Sequence, residues 1–195
     1  MSSDRKPLSS YWSPRYWPIW IGLGLLRLVC LLPHKLGLGL GRIIGRLAYL
    51  VAGSRRFIVL RNLELCFPEM TDAERKRLAK RHFEALGMSI IEMGLGRWAS
   101  DRFHDRISTL EGREHLDAAV ADGKGIILLS AHFTTLEIMG RKLAMVSPPF
   151  DAVYRRNRSD FITELMRSGR EKSADDSIEK RDIKRMVRSL RDGRP

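Results

Sequence analysis

Residues 122–145 read DGKGIILLSAHFTTLEIMGRKLAM, and this stretch predicts the fold class of the chain. A glycine-rich turn at 122–125 leads into four apolar residues, 126–129, a pattern typical of a strand that is buried on both faces. The mixture of apolar and polar residues at 134–145 then favours a helix. A strand that leads directly into a helix predicts an α/β domain, with a central sheet flanked by helices.

His132 and Glu137 lie at the predicted junction of that strand and helix. Inside one helix, five positions would turn the two side chains about 140° apart, so they can meet only if His132 precedes the helix in a turn. A carboxylate beside one ring nitrogen fixes the imidazole tautomer and stabilises the imidazolium ion. The pair therefore predicts a general base that takes a proton from a hydroxyl group. The same spacing also fits a histidine that caps a helix and a glutamate in its first turn, with no catalytic role.

Local signals along the rest of the chain predict further helices and a second strand. Ser and Thr side chains accept hydrogen bonds from the first free N–H groups of a helix, and β-branched and aromatic residues favour a strand. The expected elements are a helix from a capping box at 71–74 to about Trp98, a strand at 151–155, a helix capped by Ser159 through Met166, and a helix capped by Ser177 through Leu190.

The N-terminal region is both basic and apolar. The chain carries a net charge of +12 at pH 7, and its first 66 residues hold ten Lys and Arg against Asp4 and Glu64. An apolar run at 16–32, close to the length that crosses a bilayer, includes Arg27. This run is predicted to anchor the chain, either by spanning the membrane while Arg27 reaches its surface or by lying in the interface. Aromatic residues suited to the headgroup region accompany it: Tyr11, Trp12, Tyr16, Trp17 and Trp20.

A second apolar stretch, 36–53, predicts a closely packed helix near the membrane. It contains three glycines at four-residue intervals: Gly37, Gly41 and Gly45. Such spacing puts small residues on one helical face, whereas a dinucleotide-binding loop needs Gly-x-Gly-x-x-Gly between a strand and a helix. Residues 1–53 are therefore expected to form a membrane-anchoring and interfacial segment, and residues 54–195 a separate domain.

Several classes of protein do not fit the sequence. Cys30 and Cys66 are too few for a disulfide framework and favour a reduced, cytoplasm-facing protein. The five histidines lack the spacing of metal ligands, so neither a metal nor another cofactor is expected. The basic charge comes without a nucleic-acid-binding module, which argues against nucleic acid as a partner. Ser130 lacks a Gly-x-Ser-x-Gly elbow, so group transfer is expected to be direct.

Three motifs together resemble a known family. His132 and Glu137 match the His-x4-Asp/Glu signature of the glycerolipid acyltransferase superfamily. They are flanked upstream by RNLELCFPE at 61–69 and downstream by VYRRN at 153–157, as in the late acyltransferases of lipid A biosynthesis. That family comprises the lauroyl, myristoyl and palmitoleoyl transferases of Gram-negative bacteria. The chain is similar to it over nearly its whole length.

The resemblance implies an O-acyltransferase of the bacterial inner membrane, with its catalytic domain facing the cytoplasm. It implies transfer of a fatty acyl chain from acyl carrier protein to a hydroxyl group of a Kdo-lipid A precursor. His132 is the implied base, Glu137 its orienting partner and Arg170 a further functional arginine. Family members continue beyond Pro195 with an Asp-rich motif, so the resemblance also implies C-terminal truncation. Two alternatives stay open: an acyl-CoA-dependent phospholipid or glycolipid acyltransferase, and an inactive membrane-associated fragment.

Five arginines crowd the region that follows the predicted strand at 151–155: Arg155, Arg156, Arg158, Arg167 and Arg170. Two interpretations fit these arginines equally well. They form either a solvated basic face or a docking surface for an anionic carrier protein or for the phosphates and Kdo carboxylates of an acceptor. Arginine favours such anions because its guanidinium binds them with two parallel hydrogen bonds. Arg155 and Arg170 are the predicted substrate-binding residues.

Overall fold

Helices dominate the chain, which we describe from a computed structural model over residues 6–170 and 173–194. The helices are Trp17–Val29 (α1), His34–Val51 (α2), Gly53–Cys66 (α3), Asp72–Trp98 (α4), Asp101–Ile107 (α5), Arg113–Ala121 (α6), Leu136–Val146 (α7), Asp160–Arg170 (α8) and Ile183–Arg191 (α9). Two short strands, Asp151–Tyr154 (β1) and Asp176–Glu179 (β2), form a parallel pair.

The chain forms two compact units. The helical unit, Leu25–Leu95, contains α2, α3 and most of α4. The mixed unit joins the segment that ends at Gly24 with the segment that starts at Gly96, and it contains both strands and helices α5 to α9. The domain boundary expected after residue 53 stays a prediction.

Glycines bring α2 and α4 into backbone contact inside the helical unit. Gly37, Gly41 and Gly45 are all buried. A Cβ atom built on Gly45 would lie 2.1 Å from the Phe83 carbonyl oxygen, and one built on Gly87 would lie 2.0 Å from the Gly41 carbonyl oxygen. Any side chain at these positions would therefore force the two helices apart. The prediction of small-residue helix packing is confirmed.

α4 begins where its capping box predicts. Thr71 Oγ1 accepts a hydrogen bond from the Glu74 backbone N–H at 3.3 Å, and Glu74 Oε2 accepts one from the Thr71 backbone N–H at 2.8 Å. This reciprocal pair satisfies N–H groups that the start of a helix leaves free. The helix then runs to Trp98, as expected.

The predicted membrane anchor coincides with a short helix. α1 has 13 residues. Among the described residues, no single helix has both the length and the apolar composition to cross a membrane. α2 and α3 meet these criteria only as a pair, with a bend of 93° between them. The anchoring role of the N-terminal segment stays a prediction.

Aromatic residues that precede and begin α1 pack on α8 within the mixed unit. Tyr11 is only 5% exposed, and its ring stacks on the ring of Phe161 with the centroids 5.0 Å apart. The rings of Tyr16 and Trp20 contact the same phenyl ring at 5.1 and 5.2 Å. Three of the five aromatic residues expected in the headgroup region therefore form a small core around the first turn of α8.

The parallel strand pair confirms one predicted strand and corrects one predicted helix start. β1 lies where the sequence predicts it. Ser177, expected to cap the last helix, is instead buried in β2, in register with Ala152 of β1. Asp182 caps α9, because its Oδ1 accepts a hydrogen bond from the Arg185 backbone N–H at 3.1 Å. Backbone pairing with a neighbouring strand thus outweighs the capping preference of a serine.

The prediction of a strand at 126–129 is wrong. This segment lies in neither a helix nor a strand, and Ile127 and Leu129 are 77% and 95% exposed. Extended backbone forms a strand only where a neighbouring strand satisfies its N–H and C=O groups. Within the described ranges, β1 and β2 pair with each other, and the Ile126 N–H donates to the Arg194 carbonyl at 3.3 Å. The sheet of the predicted α/β domain therefore consists of two strands in this part of the chain.

Candidate active site

His132 lies outside the helix that follows it, as the proposed pairing with Glu137 requires. α7 begins at Leu136, and residues 131–135 are not helical. The Phe133 N–H donates to the Ala131 carbonyl at 2.9 Å, which bends the backbone around His132. The His132 side chain is exposed. An exposed imidazole is accessible to a hydroxyl substrate, as base catalysis needs.

Glu137 and Arg170 come together from two different helices. Glu137 lies in the first turn of α7, where the N-terminal end of a helix stabilises negative charge. Its Oε1 lies 3.6 Å from Nε of Arg170, and the two side chains are only 24% and 28% exposed. This separation is that of an ion pair without a hydrogen bond. The structure thus joins two of the four predicted site residues.

The pair of His132 and Glu137 differs from the pair of Glu137 and Arg170. In the ranges that the structure describes, no hydrogen bond or ion pair joins these two side chains. Catalytic hydrogen bonds are often long before a substrate binds and tighten only in the substrate complex. The roles of His132 as a base and of Glu137 as its orienting partner stay predictions.

α8 holds Arg170 in its last turn. The helix follows Ser159, whose Oγ accepts a hydrogen bond from the Ile162 N–H at 3.4 Å, and it continues past the predicted end at Met166. Phe161 is fully buried, so aromatic packing fixes the first turn of the helix. A helix fixed in this way gives its functional side chain a defined position.

Arg155 occupies a different place from Arg170. It is exposed and directly follows β1. Two other arginines of the cluster form ion pairs with acidic residues of α8: Arg156 lies 3.2 Å from Asp160, and Arg167 lies 2.6 Å from Glu164. Carboxylates therefore neutralise part of the predicted basic cluster. Docking of an anionic substrate or carrier at Arg155 stays a prediction.

Two residues at the end of α4, Gly96 and Arg97, contact the site and were not among the predicted site residues. A Cβ atom built on Gly96 would lie 3.0 Å from Cβ of Glu137, so any larger residue here would have to displace Glu137 by a few tenths of an ångström. Nη1 of Arg97 donates to the Leu165 carbonyl at 3.2 Å and to Ser168 Oγ at 3.1 Å. Burial lowers the pKa of the Arg97 guanidinium. The signal that could have found Gly96 is a glycine in the last turn of a long helix, which weakens the helix unless packing requires it.

A protein family model matches nearly the whole chain. The match covers residues 5–195, and the family is described as bacterial lipid A biosynthesis acyltransferase. The match places the chain in the broad class of acyltransferases. More narrowly, the chain belongs to the family of bacterial lipid A biosynthesis acyltransferases, which confirms the resemblance seen in its motifs.

Curated relatives carry the same family name. The lipid A biosynthesis lauroyltransferase of Escherichia coli K12 is 39% identical over 180 residues, which cover 92% of this chain and 58% of the relative. The palmitoleoyltransferase of the same organism is 32% identical over 92% of this chain and 58% of its own length. The myristoyltransferase is 27% identical over 94% and 57%, respectively. The chain thus spans less than two thirds of the length of these relatives. No solved structure is a significant match.

Proposed function

We propose that the protein is an O-acyltransferase that moves a fatty acyl chain from acyl carrier protein to a hydroxyl group of a Kdo-lipid A precursor. The observation that carries the proposal is the Glu137–Arg170 ion pair. Glu137 lies in the first turn of α7, shortly after His132, which is exposed and not helical. The chain that holds these residues belongs to the lipid A acyltransferase family. Relatives named lauroyl-, palmitoleoyl- and myristoyltransferase support a fatty acyl chain as the transferred group.

In the proposed reaction, His132 takes the proton of the acceptor hydroxyl as the hydroxyl oxygen attacks the thioester carbonyl carbon. Glu137 stabilises the imidazolium ion that forms. The tetrahedral intermediate then collapses, the C–S bond breaks, and the imidazolium returns its proton to the leaving thiolate. The products are the ester and the free thiol, and both side chains regain their starting charge.

Arg170 stabilises the negative charge that develops on the carbonyl oxygen in this proposal. A guanidinium has five N–H donors, and the ion pair with Glu137 involves the one at Nε. Donors that are already positioned where charge develops give the largest electrostatic contribution to catalysis. Arg155 is exposed just after β1, and in this proposal its positive charge attracts the phosphates or carboxylates of approaching substrates.

We further propose that residues 1–53 hold the protein at the bacterial inner membrane, with the catalytic domain 54–195 facing the cytoplasm. Large apolar side chains are exposed along α1 and α2: Ile21, Leu25, Leu28, Leu36, Ile43 and Leu47. Clusters of this kind are typical of surfaces that contact lipid. Helices too short or too polar to cross a membrane alone fit a position in the interface.

The experiment that tests this function compares acyl donors on one labelled acceptor. The complete gene product in phospholipid vesicles receives a Kdo-lipid A precursor together with either acyl carrier protein or CoA thioesters of lauroyl, myristoyl and palmitoleoyl chains. We expect a product whose mass exceeds that of the acceptor by one acyl group, formed faster from the carrier protein. The His132→Ala variant tests the base, and His115→Ala, which removes a histidine exposed on α6, is its control.

The other outcomes separate the alternatives. Acylation of the vesicle phospholipids from CoA, with the lipid A precursor untouched, would support the phospholipid acyltransferase instead. Vesicle binding without transfer from any donor would show a membrane-associated protein that lacks the activity.

A further inference from the structure

Arg97 links the end of α4 to the last turn of α8. Its Nη1 donates to the Leu165 carbonyl and to Ser168 Oγ, and Ser168 Oγ in turn donates to the Leu165 carbonyl at 3.0 Å. A Cβ atom built on Gly169 would lie 3.2 Å from the same Nη1 atom. A positive charge at this end of a helix is favourable because the carbonyl dipoles point toward it. The guanidinium therefore holds the turn that carries Arg170.

The preceding residue contacts the opposite side of the Glu137–Arg170 pair. An added Cβ on Gly96 would meet Cβ of Glu137 at 3.0 Å and its carbonyl carbon at 3.4 Å. Two consecutive residues of α4 thus touch both helices of the pair, Gly96 on α7 and Arg97 on α8. All these residues belong to the mixed unit.

We propose, on the basis of the acyl transfer proposed above, that Arg97 is a positioning residue that fixes Arg170 opposite Glu137. Arg97 acts through the last turn of α8 and makes no contact with the reacting atoms in this proposal. An ion pair at 3.6 Å has no hydrogen bond of its own to fix its geometry. Its alignment therefore depends on how the two helices are held, and an offset of about 1 Å at a catalytic group can lower a rate a hundredfold.

The test compares Arg97→Met and Arg97→Lys with Arg113→Met in the complete gene product. Methionine keeps much of the volume of the side chain but donates no hydrogen bond, whereas lysine keeps the charge and can still donate hydrogen bonds through its ammonium group. Arg113 lies on the surface of α6, where it pairs with Asp117, and serves as the matched control. The measurements are kcat and KM for acyl transfer, and amide hydrogen exchange at 165–170.

We expect Arg97→Met to lower kcat by ten- to a hundredfold with little change in KM, because substrate binding is retained while the pair is misaligned. Arg97→Lys should recover most of the loss, and Arg113→Met should behave as the wild type. Exchange should become faster at 165–170 in Arg97→Met, while α5 and α6 keep their protection.

Unchanged kcat per folded molecule in Arg97→Met would overturn the inference, as would unchanged exchange at 165–170. A merely structural role would lower the amount of folded protein and leave kcat per folded molecule intact. A wild-type protein that transfers no acyl group would contradict the proposed function instead. In that case the exchange at 165–170 still decides whether Arg97 holds the turn of α8 that carries Arg170.

Discussion

In the helical unit, α2 and α4 touch backbone to backbone, whereas in the mixed unit the apolar residues 127–129 face solvent. Gly41 and Gly87 are so close that a methyl group would not fit between them. Leu129, by contrast, is 95% exposed. Both regions are rich in apolar residues, so composition does not explain the difference.

The difference lies in where each region finds its hydrogen-bond partners. A helix satisfies its backbone within itself, so two helices need only matching surfaces to pack. A strand depends on a neighbour for every N–H and C=O group. Within the described ranges, 126–129 has no strand beside it. In the part of the chain that the structure describes, the segment that leads to His132 therefore lacks the regular backbone hydrogen bonds of the helices that carry Glu137 and Arg170.

The largest expected effect comes from breaking the close contact of α2 and α4. Gly87→Ala places a methyl group 2.0 Å from the Gly41 carbonyl oxygen, and backbone cannot move aside as a flexible side chain can. We expect the free energy of unfolding to fall by about 3 kcal/mol. Urea unfolding followed by circular dichroism measures it.

Gly39→Ala, on the partner helix α2, is the control, because nothing lies within 4 Å of its added Cβ atom. Alanine favours a helix over glycine, so this variant should gain about 1 kcal/mol. Equal stability of the two variants would contradict the backbone contact.

A glycine-to-alanine substitution also tests a close contact in the mixed unit. Gly96→Ala puts a Cβ atom 3.0 Å from Cβ of Glu137, so the first turn of α7 must shift by a few tenths of an ångström. We expect kcat for acyl transfer to fall about tenfold, because Glu137 moves relative to Arg170. Steady-state kinetics of the complete gene product measure the loss. Gly140→Ala, on α7 with open space around its Cβ, should keep the wild-type kcat, and a similar loss there would refute the explanation.

A smaller effect is expected at the start of α4. Thr71→Ala removes the hydroxyl that accepts a hydrogen bond from the Glu74 N–H, which should cost about 1 kcal/mol of stability. Unfolding by urea at neutral pH measures this loss.

The pH dependence of that loss sharpens the prediction. Hydrogen bonds from the Thr71 backbone N–H and hydroxyl hold the pKa of the Glu74 carboxyl below its usual value. A lowered pKa in the folded state means that the carboxylate stabilises the fold above its unfolded-state pKa and loses this effect as the pH falls through the folded-state pKa. The difference between wild type and Thr71→Ala should therefore shrink in acid. A difference that grows as the pH falls would show that Glu74 is not the partner.

Local signals predicted the features that depend on neighbouring residues. The capping box at Thr71 and the glycine face of α2 involve residues three or four apart, and both are confirmed. The spacing of His132 and Glu137 likewise predicted correctly that His132 precedes a helix.

Where a feature depends on contacts between residues far apart in the sequence, its prediction was missing or wrong. The strand at 126–129 needed a partner strand that local sequence does not name, and Ser177 pairs with β1 instead of capping a helix. Arg97 reaches Ser168 across 71 positions of the chain, so no local pattern marks it. The Glu137–Arg170 pair was predicted only as two separate residues, because their proximity depends on how α7 and α8 fold together.

Acyl transfer by the His132→Ala variant tests the central claim most directly. The complete gene product with this substitution should keep its circular dichroism spectrum and urea midpoint, because the side chain is exposed. Its kcat for transfer to the Kdo-lipid A precursor should fall about a thousandfold, while His115→Ala stays at the wild-type rate. A folded His132→Ala protein that transfers the acyl chain as fast as the wild type would contradict the assignment of His132 as the base.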